Sequence, residues 1–274
     1  MSRDRCSVPL PARGILGGES PEGYKQGVRV PPPPSLAAYI HHFWFVRWAL
    51  SRPLAAAALS YPTVVLTFEE HAGVKRAEIT GPLTERLTKR LSGEGLAFGI
   101  TFRPGAFSPL FEGRMAALAN RTLALVDVFG AEGGAWADAI FEERDLDGRI
   151  ERATEFLERR LPPMSAEVRR VRDIVEQMAT NRSLLRVEDV CVATGLDLRT
   201  LQRRFQQRVG VSPKWALRRF RMLEVVEQLK APDRPSLAQL AASLRYADQA
   251  HFAREFKRVV GETPSRFVQY GGVV

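Results

Sequence analysis

The chain of 274 residues is predicted to be an α+β protein of two domains. A small β-rich, sensor-like N-terminal domain precedes an all-α C-terminal domain of two helix-turn-helix units joined by a long helix. Three observations predict this. Short apolar runs rich in β-branched and aromatic residues, separated by Gly and Pro, fill residues 35 to about 103. Apolar residues at helical spacing take over after that. Two stretches of the last hundred residues also match each other at a constant offset. The length suits two domains of ordinary size, and a composition 45% hydrophobic and 26% charged is that of a globular chain.

Residues 1–34 end in Pro31-Pro32-Pro33-Pro34 and read as a poorly ordered arm with a stiff polyproline end. Residues 35–145 form the β-rich sensor or oligomerisation domain. Its strand signals are Tyr39–Val46, Thr63–Phe68 and Leu96–Phe102, with turn-formers at Gly73, Gly81-Pro82 and Pro104-Gly105 between them. Ile150, Ala153, Leu157 and Leu161 mark an amphipathic linker helix over residues 146–164, stopped by Pro162-Pro163. That stripe is expected to pair with a partner subunit or to dock on the C-terminal domain. Residues 165–270 form the C-terminal domain, opened by Ser165 and the stripe Val168, Val171, Val175 and Met178.

Charge divides at the same boundary. Val168–Tyr270 holds 20 Lys or Arg against 11 Asp or Glu, whereas Met1–Glu167 holds 20 of each. A neutral half joined to a basic half points to a sensing or assembly domain joined to one that meets phosphates. The two cysteines, Cys6 and Cys191, fit a reducing cytoplasm and no disulfide framework. Residues 1–14 have no apolar core, so no secretory signal is expected there.

The repeat pairs Asp197 with Asp248, Leu201 with Phe252, Arg203 with Arg254, Phe205 with Phe256, Gly210 with Gly261 and Pro213 with Pro264, each 51 positions apart. One supersecondary unit has been used twice. In the first copy Val187, Val190 and Cys191 form the buried side of a short helix that Gly195 ends. Asp197 caps the next helix, whose Leu198, Leu201, Phe205 and Val209 fall on one face. Arg199, Gln202, Arg203 and Gln206 fall on another, with Thr200 beside them. Arg and Gln on one helical face are the side chains that reach guanine and adenine edges in a major groove. In the second copy Leu237, Leu240, Ala241 and Leu244 pack the first helix and Asp248 caps the second. Phe252 and Phe256 turn inward, while Ala250, His251, Arg254, Lys257 and Arg258 turn outward. Pro213–Leu229 reads as one connecting helix of about 25 Å, a spacer suited to recognition helices in successive major-groove turns.

Residues 165–270 resemble the AraC/XylS family of transcription regulators. The strongest mark is Asp248–Arg258 followed by Gly261-Glu262-Thr263-Pro264. The resemblance implies a DNA domain of two helix-turn-helix units joined by a long helix. It also implies base-contacting positions at Arg199, Gln202 and Arg203, and at Gln249, Ala250, His251 and Arg254. The chain departs from the family where Arg245 replaces the usual Gly, Ala250 the usual Ser and Cys191 the usual Ala. Trp44, Tyr61-Pro62, Gly81-Pro82 and Phe102–Ala106 resemble the sensor-type domains joined to this module.

The expected partner is double-stranded DNA, with a small-molecule effector, a homodimer and RNA polymerase as further partners. No cofactor, metal or catalytic residue is expected. Two other readings stay open. A metal-dependent cupin-type enzyme would need clustered His and carboxylates, yet His41-His42 are adjacent on a strand and point to opposite faces. A non-specific architectural DNA-binding protein would carry scattered Lys instead of Arg beside Gln. DNA-repair methyltransferases share the DNA module but carry a cysteine cluster that this chain lacks.

Overall fold

The structure, a computed structural model, describes residues 27–269 and, by their backbone, the two-residue strands β1 (Val8–Pro9) and β2 (Ile15–Leu16). The rest of the expected arm, 1–26, lies outside the described residues. Gly27–Val30 corrects the arm's other end. It is strand β3, with Val30 buried, because alternating Val28 and Val30 give it an apolar side to lay on the sheet.

The sheet continues with β4 (Ile40–Ala58), β5 (Val65–His71), β6 (Val74–Thr80), β7 (Leu87–Phe102) and β8 (Thr122–Ala124). All pairings are antiparallel in the order β1-β3-β4-β7-β5-β6-β8, with β2 on β4. β4 and β7 outrun the expected strands because Trp48, Leu50, Leu54 and Leu91 continue the cross-strand packing. β6 was not expected; its Lys75-Arg76 edge masks the alternation that Ala77 and Ile79 complete. Phe43, Phe68, Phe98, Ile100 and Phe102 pack one face of the sheet. On the other face Trp44 and Trp48 lie over Gly99 and Gly95, where a Cβ would come within 2.0 and 2.3 Å of indole atoms.

Two helices close the first face: α1 (Leu125–Glu142), kinked at Gly130, and α2 (Leu146–Arg160). The Trp136 ring of α1 stacks on Phe156 of α2 at 3.9 Å, and Ile150, Ala153 and Leu157 are buried in the same core. The stripe expected to seek a partner is thus satisfied inside the N-terminal domain, and α2 is part of that domain instead of a free linker. Hydrophobic demand alone could not distinguish these, since α1 carries Gly130, Gly133 and Gly134 and hid its own period.

The C-terminal domain holds α3 (Ala166–Thr180), α4 (Val187–Thr194), α5 (Leu198–Arg208), α6 (Pro213–Lys230), α7 (Leu237–Ser243), α8 (Gln249–Val260) and α9 (Pro264–Gln269). Helix α6 is about 27 Å long at 1.5 Å per residue. Its apolar residues point round most of its circumference, so it is the core of the domain and not a solvated rod. It also buries Arg221, whose guanidinium donates to the carbonyls of Met178 (2.6 Å) and Asn181 (2.9 Å) and so closes the C-terminal end of α3.

Candidate nucleic-acid interface

Each helix-turn-helix is built from the same local devices. In the first, Asp189 accepts from the backbone N–H groups of Arg186 (2.8 Å) and Leu185 (2.9 Å) and starts α4. These bonds hold its carboxyl below the ordinary range. Gly195 ends α4 at φ 66°, the left-handed turn that favours glycine. Asp197 then accepts from Thr200 N–H at 2.8 Å and starts α5. In the second, Ser236 and Gln239 bond reciprocally at the start of α7. The turn is carried by Arg245 at φ 57°, and Asp248 accepts from His251 N–H at 2.6 Å. Arg245 therefore takes the left-handed conformation itself, so the turn is as tight as glycine would make it.

Leu201, Phe205 and Val209 hold α5 to the core, and Phe252, Phe256 and Val260 do the same for α8. Opposite them Arg199, Gln202, Arg203 and Gln206 are exposed along α5, with Thr200 half-buried at their edge. Gln249, Ala250, His251, Arg254, Lys257 and Arg258 are exposed along α8. Two of these are pre-set by neighbours. The His251 ring meets Tyr246 edge-on at 5.2 Å, and Arg258 is bonded to Glu255 at 2.7 and 3.1 Å. One residue was misassigned. Leu198 does not face the core but is 46% exposed beside Arg199. It is the first residue after the Asp197 cap, where the helix has not yet turned inward, and that position is the signal that would have found it.

Among the described residues no three His, Cys, Asp or Glu side chains gather as metal ligands. The expectation that His41 and His42 point apart is corrected by a β-bulge. The β4–β7 register shifts between Ile40 and His42, and the two Nδ1 atoms come within 2.7 Å. Arg29 and Arg103 face the pair, and burial pushes the His42 imidazole down to about 3, surroundings that repel a cation. Cys191 is half-buried, and burial pushes its thiol up, away from reactive thiolate chemistry. A groove of about 530 Å³ lies on the C-terminal domain beside Met164, Arg169, Ile174 and Thr194. In the N-terminal domain Tyr39, Phe43, Phe68, Phe98, Phe102 and Phe107 are core.

Comparison with known proteins follows the same division. Residues 190–270 match a family described as a helix-turn-helix domain, and residues 28–124 match a domain of unknown function. The chain is 33% identical over 69 residues to the HTH-type transcriptional activator RhaS of Pectobacterium carotovorum, and 35% over 74 residues to that of Escherichia fergusonii. These matches cover 25% and 27% of this chain and 24% and 26% of those proteins, so it spans about a quarter of the curated relatives' length. A solved structure of ToxT from Vibrio cholerae aligns over 83% of this chain and 97% of its own at 11% identity, with a TM-score of 0.40. At that score the likeness carries no inference about this chain.

Proposed function

We propose that the chain, a member of the AraC/XylS family of transcription regulators by its C-terminal module, reads two adjacent major-groove segments of double-stranded DNA with α5 and α8. The observation that carries this is the pair of exposed Arg-bearing faces, set at equivalent places by one repeated unit. Arg203 and Arg254 are the bidentate readers of guanine in this reading, and Gln202 and Gln249 the readers of adenine. Lys257 meets phosphate, and Arg258, tied to Glu255, has a positioning part. Competition at fixed salt between a selected site and random duplex tests the reading. Specific binding is expected to be at least about a thousandfold tighter, and equal affinity would leave only the architectural alternative.

Control by a small-molecule effector belongs to the same proposal. Its support is that the N-terminal domain packs directly on the DNA module. Ala57 and Leu59 join the C-terminal core, Tyr61 meets Phe220 at 5.9 Å, and Arg103 pairs with Glu176 at 2.5 Å. A ligand that binds two arrangements of that junction differently changes DNA affinity. Homodimerisation and contact with RNA polymerase are the remaining partners of this reading, and sedimentation of the full chain tests the first.

A further inference from the structure

The segment Pro82–Arg86, between β6 and β7, touches the first unit, the connecting helix and the second unit in succession. At its start, Pro82 and the Met115 carbonyl crowd Gly210, the residue just past α5. A Cβ there would lie 3.4 Å from Pro82 Cγ and 2.7 Å from the Met115 oxygen. In its middle, the Thr84 carbonyl accepts from buried Arg219 of α6 at 2.6 Å, while Trp215 covers the guanidinium at 4.8 Å. At its end, Arg86 Nη1 donates to the Val260 carbonyl at 3.1 Å, at the C-terminus of α8. There a cation is favoured by the orphan carbonyls and the helix dipole. A Cβ on Gly261 would sit 2.0 Å from Nη1, so only glycine admits Arg86 this close. Gly210 and Gly261 are partners in the 51-residue repeat. The N-terminal domain therefore meets the two units at equivalent corners.

The segment is stiff enough to transmit a position. Asn120, in the left-handed region at φ 58°, donates its N–H to the Pro82 carbonyl at 3.0 Å and accepts Thr84 N–H on Oδ1 at 2.7 Å. Ser60 donates to the Leu83 carbonyl at 3.0 Å. The two units differ in what else holds them. Helix α5 packs on α3, α4, α6 and the N-terminal Met115–Ala117 turn, whereas α7, α8 and α9 pack chiefly on one another, so the Arg86 bond is a larger share of what fixes α8.

We infer that Arg86, a residue of the N-terminal domain, is a positioning residue for DNA recognition that sets where the second recognition helix stands relative to the first. The N-terminal domain then helps to determine which spacing of half-sites the protein accepts. This rests on the two-helix DNA reading above. One inserted base pair turns the second half-site by roughly 35° about the duplex axis, which a fixed pair of helices cannot follow.

The test uses the full chain. Sites are selected from a random library with the wild type, and duplexes are made with the half-sites one base pair closer, as selected, and one farther. The wild type is expected to lose about tenfold or more at either altered spacing. Arg86→Ala is expected to bring that ratio below about threefold, with each half-site's sequence preference kept, and Arg86→Lys to restore part of it through a single bond to the Val260 carbonyl. A ratio unchanged in Arg86→Ala, or a loss equal at all three spacings, overturns the inference. Amide exchange without DNA supplies an independent reading. Arg86→Ala is expected to speed exchange in α8 and leave α5 as it was, and equal protection of α8 would count against the tie. A wild type that selects no common site would sink the DNA reading instead, and the exchange result would then decide on Arg86 alone.

Discussion

In the first unit the recognition helix lies among α3, α4 and α6, and Arg208 near its end pairs with Glu167 of α3 at 3.1 Å. The second unit has no such nest. Its helices share the apolar cluster through Phe252, Phe256 and Phe267, but their closest approaches are to each other. The outward faces differ as well. Leu198, Arg199, Gln202 and Gln206 of α5 stand where α8 has Gln249, Ala250, Ala253 and Lys257, so only Arg203 and Arg254 are common to both. A duplicated frame thus carries two different outward faces: the first lies on a helix nested in its own domain and against the N-terminal Met115–Ala117 turn, the second on a helix that the N-terminal domain meets through Arg86.

The largest effects should come from cutting the frame. Phe205 and Phe256 are fully buried equivalents, so Ala at either is expected to cost about 3–5 kcal/mol. The distribution should differ. Phe205→Ala should lower the unfolding midpoint of the whole C-terminal domain, whereas Phe256→Ala should open α7–α9 first. Amide exchange followed by denaturant reads this, and parallel loss in both units for Phe256→Ala would mean that they unfold as one.

Next come the two shared arginines. Arg203→Ala and Arg254→Ala should each weaken specific binding by roughly 1–3 kcal/mol and relax preference at one base position. Base-by-base substitution of the selected site checks this. A loss that is uniform across sequences would make that arginine a phosphate contact.

A smaller effect should appear at the junction between domains, where His41 and His42 face Arg29, Arg103 and Glu176. Burial, with Arg29 and His41 adding repulsion, holds His42 near 3, against an ordinary 6.5, and His41 is lowered as well. Between those values the unfolded chain binds more protons than the folded one, so stability rises with pH and is lost as pH falls below about 6.5. Thermal unfolding at pH 7 and pH 5 should show a midpoint some degrees lower in acid, and His42→Gln should flatten that difference. A variant as acid-sensitive as the wild type would place the cause elsewhere.

What could be read from the residues was what repeats or punctuates. The offset of 51, the Asp caps and the Gly turns report local backbone demands, and each copy checks the other. The features that escaped depend on contacts far apart in the chain. A bulge at His41 is decided by how β4 registers against β7, and the partner of the Ile150 stripe is an α1 whose glycines conceal it. Pro82–Arg86 looked like a plain turn because Val260 and Arg219, which it meets, lie well over a hundred residues away. Of the candidate interface, the outward exposure of the positions on α5 and α8 was legible from helical spacing, while Leu198 was misplaced because periodicity ignores where a helix begins.

The smallest expected effect separates the two turns. Gly195 sits at φ 66° without strain, but Arg245 holds φ 57° with a Cβ that crowds the following carbonyl. The left-handed form costs an ordinary residue about 1 kcal/mol, so the second unit stores strain that the first does not. Arg245→Gly should relieve it and stabilise α7–α9 by somewhat less than that, because glycine also gains freedom in the unfolded chain. The substitution removes a charge too, and the Asp189 carboxyl, held low chiefly by the N–H groups of Arg186 and Leu185, also feels Arg245. Arg245→Asn separates the two causes, since Asn tolerates the left-handed region and is equally uncharged. If conformation governs, Gly and Asn both raise the denaturation midpoint of the second unit and Gly195→Ala lowers that of the first. If Gly and Asn both lower it, the Arg245 charge outweighs the strain, and the second turn is held by electrostatics where the first is held by glycine.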